Sequence, residues 1–161
     1  AFRGRVKAHR SDSQGLGQRM QFDHIGVVVK TLRRGRDLLG PPLQIRAWTR
    51  EWEDPVNKVW VQFGYDPSGV CYELIAPLGE DSPVALALKQ KSRILNHVAY
   101  LVEDLAAERE RLRDAHCLPI AEPQPAIAYG GRPIQFFMSP LSVLIELIEA
   151  PGHKHQILPE G

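Results

Sequence analysis

The sequence predicts an α+β fold made of two copies of one β-α-β-β-β module, and three matches in a single register carry that prediction. Asp23-His24-Ile25-Gly26-Val27-Val28-Val29 aligns with Asn96-His97-Val98-Ala99-Tyr100-Leu101-Val102, Val61-Gln62-Phe63 with Ile134-Gln135-Phe136, and Tyr72-Glu73-Leu74-Ile75 with Ile145-Glu146-Leu147-Ile148. The offset is constant, from 24 to 97, from 61 to 134 and from 73 to 146. Self-similarity at one spacing constrains the whole architecture, because each copy must fold to the same unit.

The elements follow from local patterning. Residues 1–20 form a basic N-terminal tail, with Arg3, Arg5, Lys7, Arg10 and Arg19 against Asp12 alone and no hydrophobic period. Met20 stands just before the first strand pattern and marks a candidate native start, which makes the preceding residues an upstream tail or, on the alternative reading, a basic arm for an acidic partner. The first module spans 21–76. It opens with an apolar strand at 22–29, then a short helix at 31–39 that Pro41-Pro42 separates from a strand near 43–49. Strands at 58–65 and 70–76 complete it, divided by the turn residues Asp66-Pro67-Ser68-Gly69. Residues 77–94 are a linker in which Ser82-Pro83 can start a short helix through Leu88. The second module spans 95–150. Its strand at 95–102 leads into a helix at 104–115, N-capped by Asp104, with Leu105 and Leu112 on one face. Strands near 118–121, 133–138 and 142–149 follow, and 151–161 is a C-terminal tail.

Composition narrows the function classes. A chain of 161 residues with 43% apolar and 24% charged residues buries an ordinary core, and no run approaches the ~18 apolar residues a membrane span needs. Outside the basic tail the chain is mildly acidic, which argues against a nucleic-acid partner. Cys71 and Cys117 have no zinc-site or disulfide spacing and read as reduced, buried thiols of a cytoplasmic protein.

The chemistry rests on four polar residues that the repeat places in pairs. Strand alternation puts His24 on the face of Gly26 and Val28, and His97 on the face of Ala99 and Leu101, so each imidazole has a small neighbour. Glu73 and Glu146 likewise interrupt the apolar faces of the closing strands. A buried carboxylate is costly without a partner, and a cation is one such partner. A lone histidine on an apolar strand is ordinarily a hydrogen-bonded core residue; its repeat-related pairing with a glutamate favours a ligand. If the copies pack about a pseudo-twofold axis, His24, Glu73, His97 and Glu146 converge as two neutral imidazoles and two carboxylates. That set suits a divalent Co, Zn, Ni, Mn or Fe ion and leaves two positions of an octahedron open for a small-molecule substrate.

The segments Phe22-Asp23-His24-Ile25-Gly26-Val27-Val28, Leu95-Asn96-His97-Val98-Ala99-Tyr100 and Val143-Leu144-Ile145-Glu146-Leu147 resemble the vicinal oxygen chelate superfamily. Tyr72-Glu73-Leu74-Ile75-Ala76-Pro77-Leu78-Gly79-Glu80-Asp81-Ser82-Pro83 and Gly130-Gly131-Arg132-Pro133-Ile134-Gln135-Phe136 are most similar to methylmalonyl-CoA epimerases. The resemblance covers roughly 21–150. It implies a cupped mixed sheet around a divalent metal held by His24, Glu73, His97 and Glu146, a homodimer, and isomerisation by proton movement beside a carbonyl, with methylmalonyl-CoA as one candidate acyl-CoA. In this reading Glu146 and Glu73 are the catalytic carboxylates. Position 73 is often Gln in those epimerases, so Glu73 is also similar to the ligand set of glyoxalase I. A second catalytic acid of the family falls near Lys58, which as a lysine is assigned to substrate binding, with Glu51, Glu53 and Asp54 just upstream. Arg132 offers its donor fork to a substrate carboxylate. Arg33, Arg34 and Arg36 are candidates for CoA phosphates but read first as a solvated helix face, and Trp48, Trp52 and Trp60 read as cup lining or as packing. The alternatives are a glyoxalase-type lyase, an extradiol-type dioxygenase using two His and one carboxylate, and a non-catalytic ligand-binding protein of the resistance type.

Overall fold

The computed structural model describes residues 20–159, so the basic-tail reading of 1–19 lies outside the described residues. The first module comprises β1 (Gln21–Val28), α1 (Leu32–Leu43), β2 (Trp52–Asp54), β3 (Val59–Tyr65) and β4 (Cys71–Pro77). After the linker helix α2 (Ala85–Gln90), the second comprises β5 (Leu95–Leu101), α3 (Leu105–Asp114), β6 (Leu118–Pro119), β7 (Gln124–Ala126), β8 (Arg132–Met138) and β9 (Leu144–Ile148). All nine strands belong to one mixed sheet, ordered β2-β3-β4-β1-β5-β9-β8-β6, with β7 also on β8. The modules meet where β1 and β5 run antiparallel, and each of these pairs in parallel with its own closing strand, β4 or β9. The repeat seen in the sequence is therefore the symmetry of the sheet.

Helices α1 and α3 each cover the outer face of their own module. Leu32 of α1 packs with Leu74, Ala76, Trp48 and Trp60, and Leu105 and Leu112 of α3 pack with Phe137 and Leu147. The inner face carries the larger core, including Val28, Phe63, Ile75, Ala99, Leu101 and Ile148, with Trp52 against it. Of the three tryptophans only Trp52 thus lies on the cup side. The sheet curls until its wings meet: Asn57 Nδ2 donates to Pro125 O at 2.9 Å, and Asp54 accepts from Ile127 N.

Three expectations are corrected. The proline pair does not precede the end of α1 but lies within its last turn. A proline φ is already helical, and near the end of a helix few intrahelical bonds depend on the missing N–H. The chain leaves at Gln44, in the left-handed region with φ 56°, while Ile45 N donates to Gly40 O at 2.9 Å. The strand near 43–49 reduces to two isolated bridges, Trp48 with Gly64 and Thr49 with Ile157, and the ladder partner of β3 is β2 instead. The second module gains β7, paired with β8, and a 3-10 turn at Ile127–Tyr129 whose first N–H reaches Asp54 of the first module. Asp104 caps α3 as expected, accepting from Ala107 N at 2.9 Å. Cys71 and Cys117 are free and buried, and burial pushes the Cys71 thiol up to about 12. Among the described residues no helix is long and apolar enough to cross a membrane.

Candidate metal centre

Register brings the four side chains together. Gly26 pairs with Glu73 across the parallel ladder and with His97 across the antiparallel one, while Ala99 pairs with Glu146 and with His24. Successive strand residues alternate between faces, so all four side chains project from the same side of the central strands. His24 Nε2 lies 2.9 Å from His97 Nε2, 3.1 Å from Glu73 Oε2 and 3.3 Å from Glu146 Oε2. His97 Nε2 lies 3.3 Å from Glu73 Oε2 and 2.9 Å from Glu146 Oε2. His24 is 0% exposed, Glu146 4%, His97 5% and Glu73 7%, so bulk water does not solvate these charges.

The room between Gly26 and His97 is specific. A Cβ at position 26 would stand 2.2 Å from His97 Cε1 and 2.7 Å from its Nε2, closer than real contacts allow. Gly26→Ala is expected to displace the His97 ring, cost about 1–3 kcal/mol of stability through overpacking, and weaken metal binding. Parallel denaturation and Co²⁺ titration of the two proteins check it, and an unaltered Co²⁺ affinity contradicts it.

The residue before each histidine orients it. His24 Nδ1 donates to Asp23 Oδ2 at 2.7 Å and His97 Nδ1 donates to Asn96 Oδ1 at 2.9 Å. With both Nδ1 atoms acting as donors, the neutral tautomers present two Nε2 lone pairs to each other at 2.9 Å, an arrangement that calls for a cation between them. Glu146 Oε2 is buried without a hydrogen-bond partner, although it lies 2.9 Å from His97 Nε2. Ligands about 2.0–2.2 Å from one ion and roughly 90–100° apart stand about 2.8–3.4 Å from each other. The observed separations match that range, so the donor set fits a divalent cation.

Without such an ion, protons play its part. Burial opposes the imidazolium form of His24, but the Glu73 charge, the hydrogen bond to Asp23 and the adjacent carboxylate oxygens of Glu146 and Glu73 outweigh it and hold the group well above the ordinary histidine value. His97 is raised in the same way, against burial, chiefly by Glu146. Burial would raise both glutamates, yet the histidines hold Glu73 and Glu146 below the usual carboxylate range. A cation must displace these imidazole protons to reach the nitrogens, so metal affinity is expected to rise with pH and binding to release protons. Calorimetry in buffers of different ionisation enthalpy checks this, and a pH-independent affinity contradicts it.

Asp23 is itself surrounded by donors. Besides His24, it accepts from Tyr129 Oη at 2.6 Å and from His155 Nε2 at 2.9 Å. Burial would raise its pKa, but the hydrogen bonds from His155 and His24 and their charges hold it far below the usual carboxylate range. Asp23, His24 and His155 form a second group that could hold an ion, but these donors and acceptors already satisfy one another.

Two sequence candidates lie away from the cluster. Lys58 is five residues along from Phe63, the partner of Glu73, a separation of about 16 Å along the strand, and its Nζ pairs with Asp81 at 2.5 Å. Arg132 is four residues along β8 from Phe136, the partner of Glu146, about 13 Å along the strand. Arg36 is held by Glu51 and Gln62, both at 2.6 Å. Sequence reasoning passed over Asp23 and Asn96 as orienting residues, although their recurrence before each histidine was a usable signal. It also passed over Tyr129 and His155, which have no counterparts in the repeat.

Residues 23–136 match the family described as the Glyoxalase/Bleomycin resistance protein/Dioxygenase superfamily. An uncharacterized protein of Bacillus subtilis (strain 168), YqjC, is 34% identical over 140 residues, covering 84% of this chain and 96% of that protein. An ethylmalonyl-CoA/methylmalonyl-CoA epimerase of Cereibacter sphaeroides is 40% identical over 65 residues, covering 40% of this chain and 48% of that protein. The crystal structure of methylmalonyl-CoA epimerase from Mycobacterium tuberculosis superposes with a TM-score of 0.66 at 26% identity, covering 80% of this chain and 86% of that one.

Proposed function

The chain belongs to the glyoxalase/bleomycin resistance protein/dioxygenase superfamily, and from that membership we propose that it is a divalent-metal-dependent epimerase that moves a proton beside the carbonyl of an acyl-CoA thioester, with methylmalonyl-CoA as the first substrate to test. The observation that carries the reading is the convergence of two imidazole nitrogens and two carboxylate oxygens at 2.9–3.3 Å on one buried point. The presence of Glu73 in that cluster favours it over the dioxygenase alternative, whose iron site uses two histidines and one carboxylate.

His24, Glu73, His97 and Glu146 would hold the ion. When bound, it supplies Lewis-acid polarisation of a carbonyl oxygen, which makes the adjacent proton more acidic. Each glutamate turns Oε2 toward the shared point, and the proton exchange is assigned to its second oxygen, Oε1. In the proposed reaction Glu146 takes the proton beside the carbonyl, leaving an enolate and a neutral carboxylic acid. Glu73, its counterpart in the other module, takes a proton from solvent and gives it to the opposite face, and Glu146 releases its proton to solvent, so one proton enters and one leaves in each turnover. Asp23 and Asn96 keep the imidazoles oriented throughout, and the buried setting excludes competing water. Arg132 and Lys58 are assigned to the charged, remote parts of the substrate.

Incubation of the Co²⁺-loaded protein with methylmalonyl-CoA in deuterated water tests the proposal. Loss of the α-proton at a rate that EDTA treatment abolishes is the expected result. No exchange above the EDTA control removes the epimerase reading. The macromolecular partner proposed is a second copy of this chain, with Phe22 at 41% and Leu95 at 71% exposure as apolar surface it would cover, and light scattering of the purified protein reads its mass.

A further inference from the structure

The C-terminal segment, a tail on sequence grounds, runs back over the first module. Ile157 bridges Thr49, and Leu158 N donates to Trp48 O at 2.9 Å. Between these anchors and the end of β9 the His155 ring stacks on Phe63, with centroids 3.9 Å apart and planes 17° from parallel. Phe63 is 0% exposed and pairs with Glu73, so the stack seats His155 beside the cluster without making it a member. From there Nε2 donates to Asp23 Oδ2 at 2.9 Å, and Tyr129 donates to the same oxygen at 2.6 Å.

The two halves of the centre differ at this point. His97 is oriented by a neutral amide, whereas His24 is oriented by a carboxylate that two further donors hold in place. A carboxylate on the far nitrogen of an imidazole fixes its tautomer and strengthens the facing nitrogen as a ligand, and loss of such a partner typically weakens metal binding 10–100-fold. We propose that His155, with Tyr129, is a positioning residue that reaches across the fold to hold Asp23 against His24 and thereby sets the strength of the metal centre. The C-terminal segment is on this account part of the site. The inference rests on the metal-centre reading above but not on the reaction assigned to it.

The test uses Co²⁺ alone, without substrate, on the full chain. His155→Phe keeps an aromatic ring to stack on Phe63 and removes the donor, while His155→Gln restores an N–H donor. His155→Phe is expected to weaken Co²⁺ binding about 10–100-fold and to alter the visible Co²⁺ spectrum, with His155→Gln recovering most of the affinity. Tyr129→Phe, which removes one hydroxyl at nearly constant volume, is expected to act in the same direction and decides the matter if the His155 variants do not fold. Variants that fold and bind Co²⁺ as tightly as the parent, or a His155→Gln protein as weak as His155→Phe, overturn the proposal. A parent protein that binds no Co²⁺ overturns the metal-centre reading as well, so the two failures are distinguishable.

Discussion

Replacing Glu146 with Gln is expected to slow α-proton exchange by roughly 10²–10⁴-fold, the usual contribution of a positioned general base. The substitution preserves shape, so the position on β9 opposite Phe136 and beside Ala99 is kept. What it removes is the negative charge and the basic oxygen. If Glu146 takes the proton, the loss falls on kcat more than on KM, because the interaction develops only as the proton moves. A variant that exchanges the α-proton at the parent rate shows that another group is the base. Glu73→Gln supplies the contrast. In the proposed scheme it removes the group that returns the proton on the opposite face, so epimerisation should fall further than exchange.

Saturation with a divalent ion is expected to raise the melting temperature by roughly 5–15 °C. The estimate follows from about 2.7–4.1 kcal/mol of linkage at about 100–1,000 times the Kd, spread over roughly 2–4 °C per kcal/mol for a chain of this size. The structural basis is the buried charge. Two carboxylates exposed by no more than 7% need a cation or protonated histidines beside them, and an ion bound only by the folded state deepens its free energy. His97→Ala removes one nitrogen donor and is expected to abolish most of the shift. Fluorimetric melts of EDTA-treated and Co²⁺-loaded protein measure it, and identical melts in the two conditions exclude a structural contribution from metal.

Much of the site was legible because duplication writes the same local chemistry twice. His24 and His97, and Glu73 and Glu146, announce themselves by occupying apolar strand faces at equivalent positions, and Gly26 marks the space the His97 ring needs. The strand boundaries agree to within one or two residues where alternation is clear, as in β3, β5 and β8. Agreement fails where local rules compete with packing. The proline pair read as a stop, yet the last turn of α1 absorbs it, and the apolar stretch near 43–49 read as a strand while its residues serve the contacts of α1 and the C-terminal segment.

The amino-acid sequence alone determined the two-module architecture and the residue types at its heart, because strand alternation is a local property that repetition makes conspicuous. Only the tertiary structure decided that the four donors meet at 2.9–3.3 Å and that Asp23 is held by Tyr129 and His155. Those contacts span 106 and 132 positions, and a pairing of that range obeys no period along the chain. It exists because the curled sheet and the returning C-terminal segment bring both residues to one carboxylate, whose burial then makes every donor count.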